Sequence, residues 1–516
     1  MQNFGCTAQS QLKRLVGAVT LLLTFALVGL AQTQITTGTI QGTVTDANGA
    51  IVPGANVEIK NLDTNLTRTL TTDEGGRFAA LALPPGPYSV TVSKEGFAIA
   101  VAERLNLTVG QALNLPVAMK ISGVQERVTI NATPTIDTVG TESSTTLNET
   151  TVNKTPILGR KFEDLLTLTP GVSIVQGPDG DEINFAGQRG IFNNVSMDGG
   201  DYNNGFFGEQ LGGQRAAIDI PLDAVKEFQV VATGATAEFG RTAAGIINVI
   251  PKSGTNDIHG SLFYFQRLEG LTADTSDGKP LKDFHREQFG GTVGGPIRKD
   301  KAFFFSSFEG IHETLTRANL SDQIGATPCP VPVPTIGANE GLINSNDDCA
   351  RLALINFMKT TRNQDEGLPI EHPIRNYAFL FKTDFNIAKS HQLGVSYNFD
   401  YSKNTNQTFD VATYGNSANG IEGPSKINNF NVNLFSTISP TTINEAHFSY
   451  TREVRPRSQK TLPLFVQVSG GDRGQTRERH RVDVPRQRVL VLRDYRKSRK
   501  QQDAQSDHPH KVTSPA

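Results

Sequence analysis

From Asn376 to Thr451 the chain repeats one device: stretches the length of a membrane-crossing β-strand, in which apolar and polar residues alternate with a period of two. In one of them Leu393, Val395, Tyr397, Phe399 and Tyr401 share one parity, while Gln392, Ser396, Asn398 and Asp400 take the other. Successive side chains on a strand point to opposite faces, so such a strand has one apolar face and one wet face. A sheet in a soluble protein can be patterned the same way. Here the aromatic face recurs on strand after strand behind a secretion signal, which points to a barrel with lipid outside and water inside.

The totals agree. A chain of 516 residues holds several domains. Its net charge of −2 gives no electrostatic footprint for nucleic acid, so no nucleic-acid partner is expected. Only half of each barrel strand faces lipid, so a hydrophobic content of 37% is ordinary for the class. Trp is absent, and the aromatic belts that mark membrane interfaces must come from the 29 Phe and 9 Tyr.

Residues 1–31 read as a signal peptide. Lys13 and Arg14 precede the apolar run Leu15 to Leu30, and Gly29 and Ala31 supply the small residues of a cleavage site before Gln32. The run is shorter than the roughly 20 residues a spanning helix needs. No later run is apolar enough, so membrane contact falls to strands. Cys6 leaves with the signal, while Cys329 and Cys349 remain in a Pro- and Asn-rich stretch. They are expected to form a disulfide, since the compartment is oxidising; it would close a loop of about 20 residues and contribute roughly 3 kcal/mol. The alternative is two free thiols.

Residues 36–122 have short strands separated by turn signals, among them Asp46-Ala-Asn-Gly49 and Thr71-Thr-Asp-Glu-Gly-Gly76, as in a β-sandwich. Gly42-Thr-Val-Thr-Asp46, Pro53-Gly-Ala-Asn-Val57, Asp73-Glu-Gly-Gly-Arg-Phe78, Leu83-Pro-Pro-Gly-Pro-Tyr88 and Glu95-Gly-Phe97 resemble the carboxypeptidase regulatory-like domain, a prealbumin-like fold. Related carbohydrate-binding-like folds bind starch, but a spacer or docking role is the plainer expectation, because fold alone does not give function. Residues 123–150 are Thr-, Ser- and Asn-rich and read as a linker with one short strand, Val124 to Ile130.

Residues 151–253 mix elements. Phe162, Leu165 and Leu166 share a helical face that Pro170-Gly171 terminates, Ile220 to Val230 reads as a short helix running into a strand, and Gly245 to Ile250 as a strand. Residues 254–468 carry the barrel-like strands, at about 259–267, 286–295, 302–309, 376–387, 391–401, 428–438 and 442–451. The stretch 310–375 lacks alternation and reads as a long outer loop.

No catalytic or metal signature appears: there is no His-Glu-x-x-His, no Gly-x-Ser-x-Gly and no phosphate loop. An enzyme is not expected, nor a cofactor. His285 and Glu287 share a strand face and read as a polar pair on the lumen side rather than a metal site.

The order signal, sandwich, mixed segment, barrel, together with several motifs, resembles the TonB-dependent outer-membrane receptors of the Oar-like subgroup. The motifs are Gly159-Arg-Lys-Phe-Glu-Asp-Leu-Leu-Thr-Leu-Thr-Pro-Gly-Val172, Ser196-Met-Asp-Gly199, Pro221-Leu-Asp-Ala-Val-Lys-Glu-Phe228, Ala237-Glu-Phe-Gly-Arg241, Gly245 to Asn256, and Phe289 to Asp300. The resemblance implies a mainly β protein: the prealbumin-like sandwich, an α+β plug domain at 151–253, and a partial transmembrane antiparallel β-barrel. It implies a receptor that takes up an unidentified extracellular ligand through the outer membrane of a Gram-negative bacterium. TonB, the periplasmic energy-coupling protein, would pull on a short segment, the TonB box. The segment in the matching place is Val124, Gln125, Glu126, Arg127, Val128, Thr129 and Ile130. Pairing would be by strand addition, which tolerates many sequences; an ordinary linker strand is the alternative. The resemblance also implies plug–barrel contacts at Glu238 and Arg241.

From about Gly470 the pattern breaks: Arg and Lys crowd residues 469–516 and no Phe follows Phe465. Barrels of this class have about 22 strands, and about seven are visible here. The expectation is a truncated or frameshifted gene product with an aberrant basic tail. The alternative to a transporter is a non-transporting periplasmic or surface binding module left by such a truncation.

Overall fold

The computed structural model describes residues 36–121, 127–130, 142–157, 159–177, 180–205, 210–211, 220–235, 240, 242–274, 278, 281–317, 359–360, 370–388, 390–407, 420–439 and 442–459. The signal segment and the basic tail lie outside them. No helix among the described residues is long and apolar enough to cross a membrane.

The N-terminal unit contains β1 (Gly38–Asp46), β2 (Asn56–Asn61), β3 (Thr67–Thr71), β4 (Arg77–Leu83), β5 (Gly86–Ser93), β6 (Ile99–Leu107), β7 (Ala112–Asn114), β8 (Val117–Met119) and β9 (Arg127–Ile130). One sheet runs β4-β1-β7 with β8 also on β1; the other runs β3-β2-β5-β6-β9. Alternate residues of each strand point inward, so Ile40 and Val44 of β1 meet Val57 and Ile59 of β2 and Tyr88, Val90 and Val92 of β5 in one core. Burying each such side chain contributes roughly 1.5–3 kcal/mol. The turns form where the sequence marks them. Asp46 Oδ1 accepts the N–H groups of Asn48 and Ala50, both at 2.8 Å, and Gly49 takes the positive φ of 86° that closes the reversal.

The middle unit begins with β10 (Ser143–Leu147), α1 (Glu149–Lys154) and α2 (Phe162–Leu166). It continues through β11 (Val172–Gly177), β12 (Gly180–Phe185), β13 (Asn194–Met197), β14 (Gly200–Asp201), β15 (Val225–Thr233) and β16 (Ile246–Pro251). Its main sheet runs β10-β15-β16-β13-β14, and every residue of β16 is buried. α2 turns Phe162, Leu165 and Leu166 into the core as their spacing predicts, and Phe162 stacks on Phe228 at 5.6 Å. The helix expected before the β15 strand is a single 3₁₀ turn, Leu222–Ala224.

The third unit is one long antiparallel sheet. It has β17 (His259–Leu268), β18 (His285–Arg298), β19 (Ala302–Thr314), β20 (Thr316–Arg317), β21 (Ile370–Glu371), β22 (Ile374–Ala388), β23 (His391–Gln407), β24 (Gly420–Ser439), β25 (Thr442–Val454) and β26 (Arg457–Gln459). The order is β17-β18-β19-β22-β23-β24-β25, with β26 on β24 and a separate β20-β21 ribbon; among the described residues it curves around the middle unit without closing. Several strands outrun the expected spans. β19 reaches Thr314, and the β20-β21 ribbon stands inside the stretch read as loop, because backbone pairing continues after lipid-facing alternation has ended. The strand pairs β18–β19, β22–β23 and β24–β25 are each joined within three residues of sequence at one end of the sheet, the first by a turn at 299–301, and the strand ends joined by long stretches of sequence are at the other. In barrels of this kind the short turns are periplasmic.

Burial in this sheet is inverted relative to a soluble protein. On β23 the buried residues are Gln392, Ser396, Asn398, Asp400, Ser402, Asn404 and Asn406, while the aromatic parity stays partly exposed on the outside. Tyr401, Tyr377, Phe308, Phe289 and His312 form a ladder of ring contacts 5.5–6.3 Å apart across four strands, near the end with the long connections. This is the aromatic belt expected of an interface, built without Trp. Phe303 and Phe305 face inward and are buried, since Phe303-Phe-Phe305 offers an aromatic to either face and pairing with β18 and β22 decides between them. One expectation is corrected. His285 and Glu287 do pair, at 3.1 Å, but on the outward parity with Phe289, while Arg286 and Gln288 point inward.

Candidate functional site at the plug–barrel interface

The turn after β13 reaches into the sheet. Asp198 takes a φ of 51° and Gly199 one of 79°, so the chain reverses sharply and projects the Asp198 carboxylate outward from the middle unit. Lys382 Nζ donates to Asp198 Oδ1 at 2.8 Å and Ser396 Oγ to Oδ2 at 2.7 Å. Asn433 Nδ2 donates to the Asp198 carbonyl at 2.9 Å, and Asn431 Nδ2 to that of Met197 at 3.2 Å. The pair is buried, with side-chain exposures of 9% for Lys382 and 5% for Asp198, so water screens it little. Gly200 lies against the side chains of Asn431 and Ser449, so a Cβ there would push them out of place. Beyond it, Asn398 Nδ2 donates to Tyr202 Oη at 3.1 Å, Thr451 Oγ1 to the Asp201 carbonyl at 3.1 Å, and Asn204 Nδ2 to Glu453 Oε2. Residues 197–204 thus dock on β22, β23, β24 and β25.

A second contact lies on the other side. Arg160 pairs with Asp223 at 2.6 Å and places its guanidinium 4.5 Å from the Phe263 ring and 4.7 Å from that of Phe265. Arg286 Nη2 donates to the Gly159 carbonyl at 2.8 Å while Nη1 pairs with Glu313 at 2.9 Å. Apolar contact with the sheet is sparse by comparison: Phe305, Leu380 and Ile427 join the middle unit's core. An interface of ion pairs, amides and a cation–π contact holds one arrangement firmly but carries little of the apolar burial that would fuse the two units.

Neither Glu238 nor Arg241, expected here, lies within the described residues. The same holds for Cys329, Cys349, Val124, Gln125 and Glu126. Arg127, Val128, Thr129 and Ile130 form β9, which pairs in parallel with Ile99–Ala102 of β6 at the rim of the sandwich. Sequence reasoning singled out Ser196-Met-Asp-Gly199 but assigned Asp198 no partner. The available signal was Lys382, a lone cation on the inward parity of β22 among Ala378 and Leu380. Among the described residues no group of three or more His, Cys, Asp or Glu is placed to hold a metal ion.

The middle unit also meets the sandwich. Glu227 on β15 is buried, and its Oε1 accepts the Val109 N–H at 2.7 Å. Burial pushes its carboxyl up to about 7, against smaller opposing effects of that hydrogen bond and of Lys226. A raised carboxyl pKa means the folded chain holds the proton more tightly than the unfolded chain. Glu227 therefore favours folding below about pH 4.5, and this contribution is lost as pH rises to about 7. The melting temperature is expected to fall on going from pH 5 to pH 7.5, and Glu227→Gln to flatten part of that slope. An unchanged slope in the variant would remove Glu227 from this account.

Three family profiles match the chain. A carboxypeptidase regulatory-like domain matches residues 39–120, a TonB-dependent receptor plug domain residues 138–247, and an outer membrane beta barrel domain residues 250–489. The TonB-dependent transporter Oar of Myxococcus xanthus is 29% identical over 289 residues, covering 52% of this chain and 26% of that protein. Similar solved structures include the ferric enterobactin receptor PfeA of Pseudomonas aeruginosa, at 13% identity, 61% of this chain, 41% of that one and a TM-score of 0.41. Another is the siderophore receptor PirA from Acinetobacter baumannii, at 14%, 61%, 40% and 0.40. A third is the outer membrane transporter YddB from Escherichia coli, at 12%, 58%, 37% and 0.39. The chain spans about a quarter of the length of the curated relative it matches.

Proposed function

We propose that this chain, a TonB-dependent receptor by its regulatory-like, plug and barrel domains, serves an outer-membrane transporter of the Oar type. The observation that carries the reading is the inverted sheet, clearest on β22 and β23, where aromatic side chains face outward and amides and charges inward, with a plug docked against the wet face through Asp198 and Lys382. Ligand from outside binds the outer loops and plug; displacement of the plug opens a path. The polar interface suits that cycle, because hydrogen bonds broken in a wet lumen are replaced by bonds to water, whereas apolar surface is not compensated in that way.

Energy enters through the segment 124–130, gripped by TonB through strand addition. Among the described residues β9 pairs with β6 alone, and strand addition would use its other edge. No catalysis belongs to this reading. The test is a photo-crosslinking residue placed singly at positions 124–142 of the full chain in cells that contain TonB. Adducts with TonB are expected at Val128 or Thr129 and not at a control position, Thr91, in the sheet interior. No adduct anywhere along 124–142 would overturn TonB coupling.

A further inference from the structure

We propose that the N-terminal sandwich is a latch that clamps plug strand β15 to the β18–β19 turn of the barrel, holding the plug in place until the sandwich lets go. That the latch gates transport rests on the reading above; the clamp itself does not.

The contacts run from one side of the junction to the other. On the plug, Lys226 Nζ donates to the Pro85 carbonyl at 2.6 Å, and Glu227 accepts from Val109 N–H at 2.7 Å. Gly110, with a φ of 69°, lies so close to Gln229 that a Cβ would stand 2.5 Å from its Nε2. At the plug-to-barrel connection, the Asn256 N–H donates to the Asp63 carbonyl at 2.9 Å. On the barrel, Asp300 in the β18–β19 turn accepts Asn65 Nδ2 at 2.9 Å and Asn256 Nδ2 at 2.8 Å. Both bonds hold the Asp300 carboxyl below its ordinary range, so it stays ionised and a strong acceptor. Between these contacts is a cavity of about 130 Å³ whose wall is shared by Asp63 and Pro85 of the sandwich, Lys226 and Ser253 of the plug, and Lys382 and Asp384 of the barrel. The sandwich therefore floors the space beneath the Asp198–Lys382 pair, at the end of the sheet that carries the short turns.

Chain order gives the clamp its leverage. The peptide runs from the sandwich through β9 to the plug's first strand β10, and β9 is itself paired to β6. Tension applied at β9 reaches the sandwich edge directly, and so loads the β15 contacts together with the plug. Those contacts are discrete hydrogen bonds, each of modest net strength, rather than a continuous apolar seam.

The test uses the full chain in detergent and needs neither ligand nor TonB. Two readouts follow the clamp: hydrogen exchange of the Val109 amide, and maleimide labelling of a Gln229→Cys reporter in a background with Cys6, Cys329 and Cys349 changed to Ser. In the parent both are expected to be slow. Lys226→Ala with Asn65→Ala is expected to raise both about tenfold or more, since two hydrogen bonds involving charged groups are lost. Exchange at the buried β16 amides should stay unchanged, which shows that the plug remains folded. Conversely, bridging Asn65→Cys and Asp300→Cys with a short bis-maleimide should slow Val109 exchange further. Labelling of the parent reporter as fast as that of an Asn48→Cys control, or no response of Val109 exchange to either the double variant or the bridge, overturns the clamp. If the clamp passes while the TonB adduct is absent, the transporter reading fails alone.

Discussion

Lys382→Met is expected to raise hydrogen exchange at the Val195 and Ser196 amides by about two to nearly four orders of magnitude. Asp198 would then remain buried against the barrel with Ser396 as its donor and no countercharge. Removing one member of a buried ion pair typically costs about 3–5 kcal/mol, because the remaining charge keeps its desolvation penalty and loses its compensation. Met preserves most of the Lys stem, so packing changes little and the loss is electrostatic. The matched experiment is the double variant Lys382→Met with Asp198→Asn. It removes both charges while an amide can still accept from Ser396, and it should recover most of the protection, to within about 1 kcal/mol of the parent. If the single and double variants exchange equally fast, the charges are not what secures the plug. If neither exceeds the parent, the plug is held elsewhere, with Arg160 and Asp223 the next residues to change.

Local pattern and long-range contact separate in what the sequence reveals. The strands of the barrel were legible because lipid on one side and water on the other impose alternation residue by residue, and β23 displays it from Leu393 to Tyr401. α2 was legible for the same kind of reason: Phe162, Leu165 and Leu166 fall on one helical face over one core. The Asp198–Lys382 pair was not. Its members stand 184 positions apart, and nothing in the neighbourhood of either names the other. The signals present are Lys382, a lone cation on the inward parity of β22, and the Asp198-Gly199 dipeptide, which marks a tight turn without saying what its side chain meets. Strand ends were misjudged where polar stretches such as Ser402 to Gln407 stay in the ladder, since backbone pairing needs no apolar face. The sandwich junction was illegible for a third reason: its key groups are the backbone carbonyls of Pro85 and Asp63, which any residue provides, and the N–H of Val109, which any residue but proline provides.

Phe399→Arg puts the orientation of the sheet to the test, and is expected to remove most of the chain from the outer-membrane fraction. Phe399 lies in the middle of β23, directly across from Phe379 of β22, on the parity opposite to buried Asn398 and Asp400. If that parity meets hydrocarbon, a guanidinium near the midplane costs roughly 2–4 kcal/mol, and placing a second one in Phe379→Arg should compound the loss, since the two charges would sit side by side. An inward substitution of similar severity on paper behaves differently. Asn429→Ala loses a 2.8 Å bond to Thr451 and a 2.7 Å bond from Asn431, yet the partners it abandons face a polar interior. Its cost should be about 1 kcal/mol, too small to affect insertion. The comparison is read from the heat-modifiable band and the membrane fractionation of the variants side by side. Normal insertion of Phe399→Arg together with failure of Asn429→Ala would place water where lipid is assigned, and the aromatic face would then belong to the core of a soluble sheet.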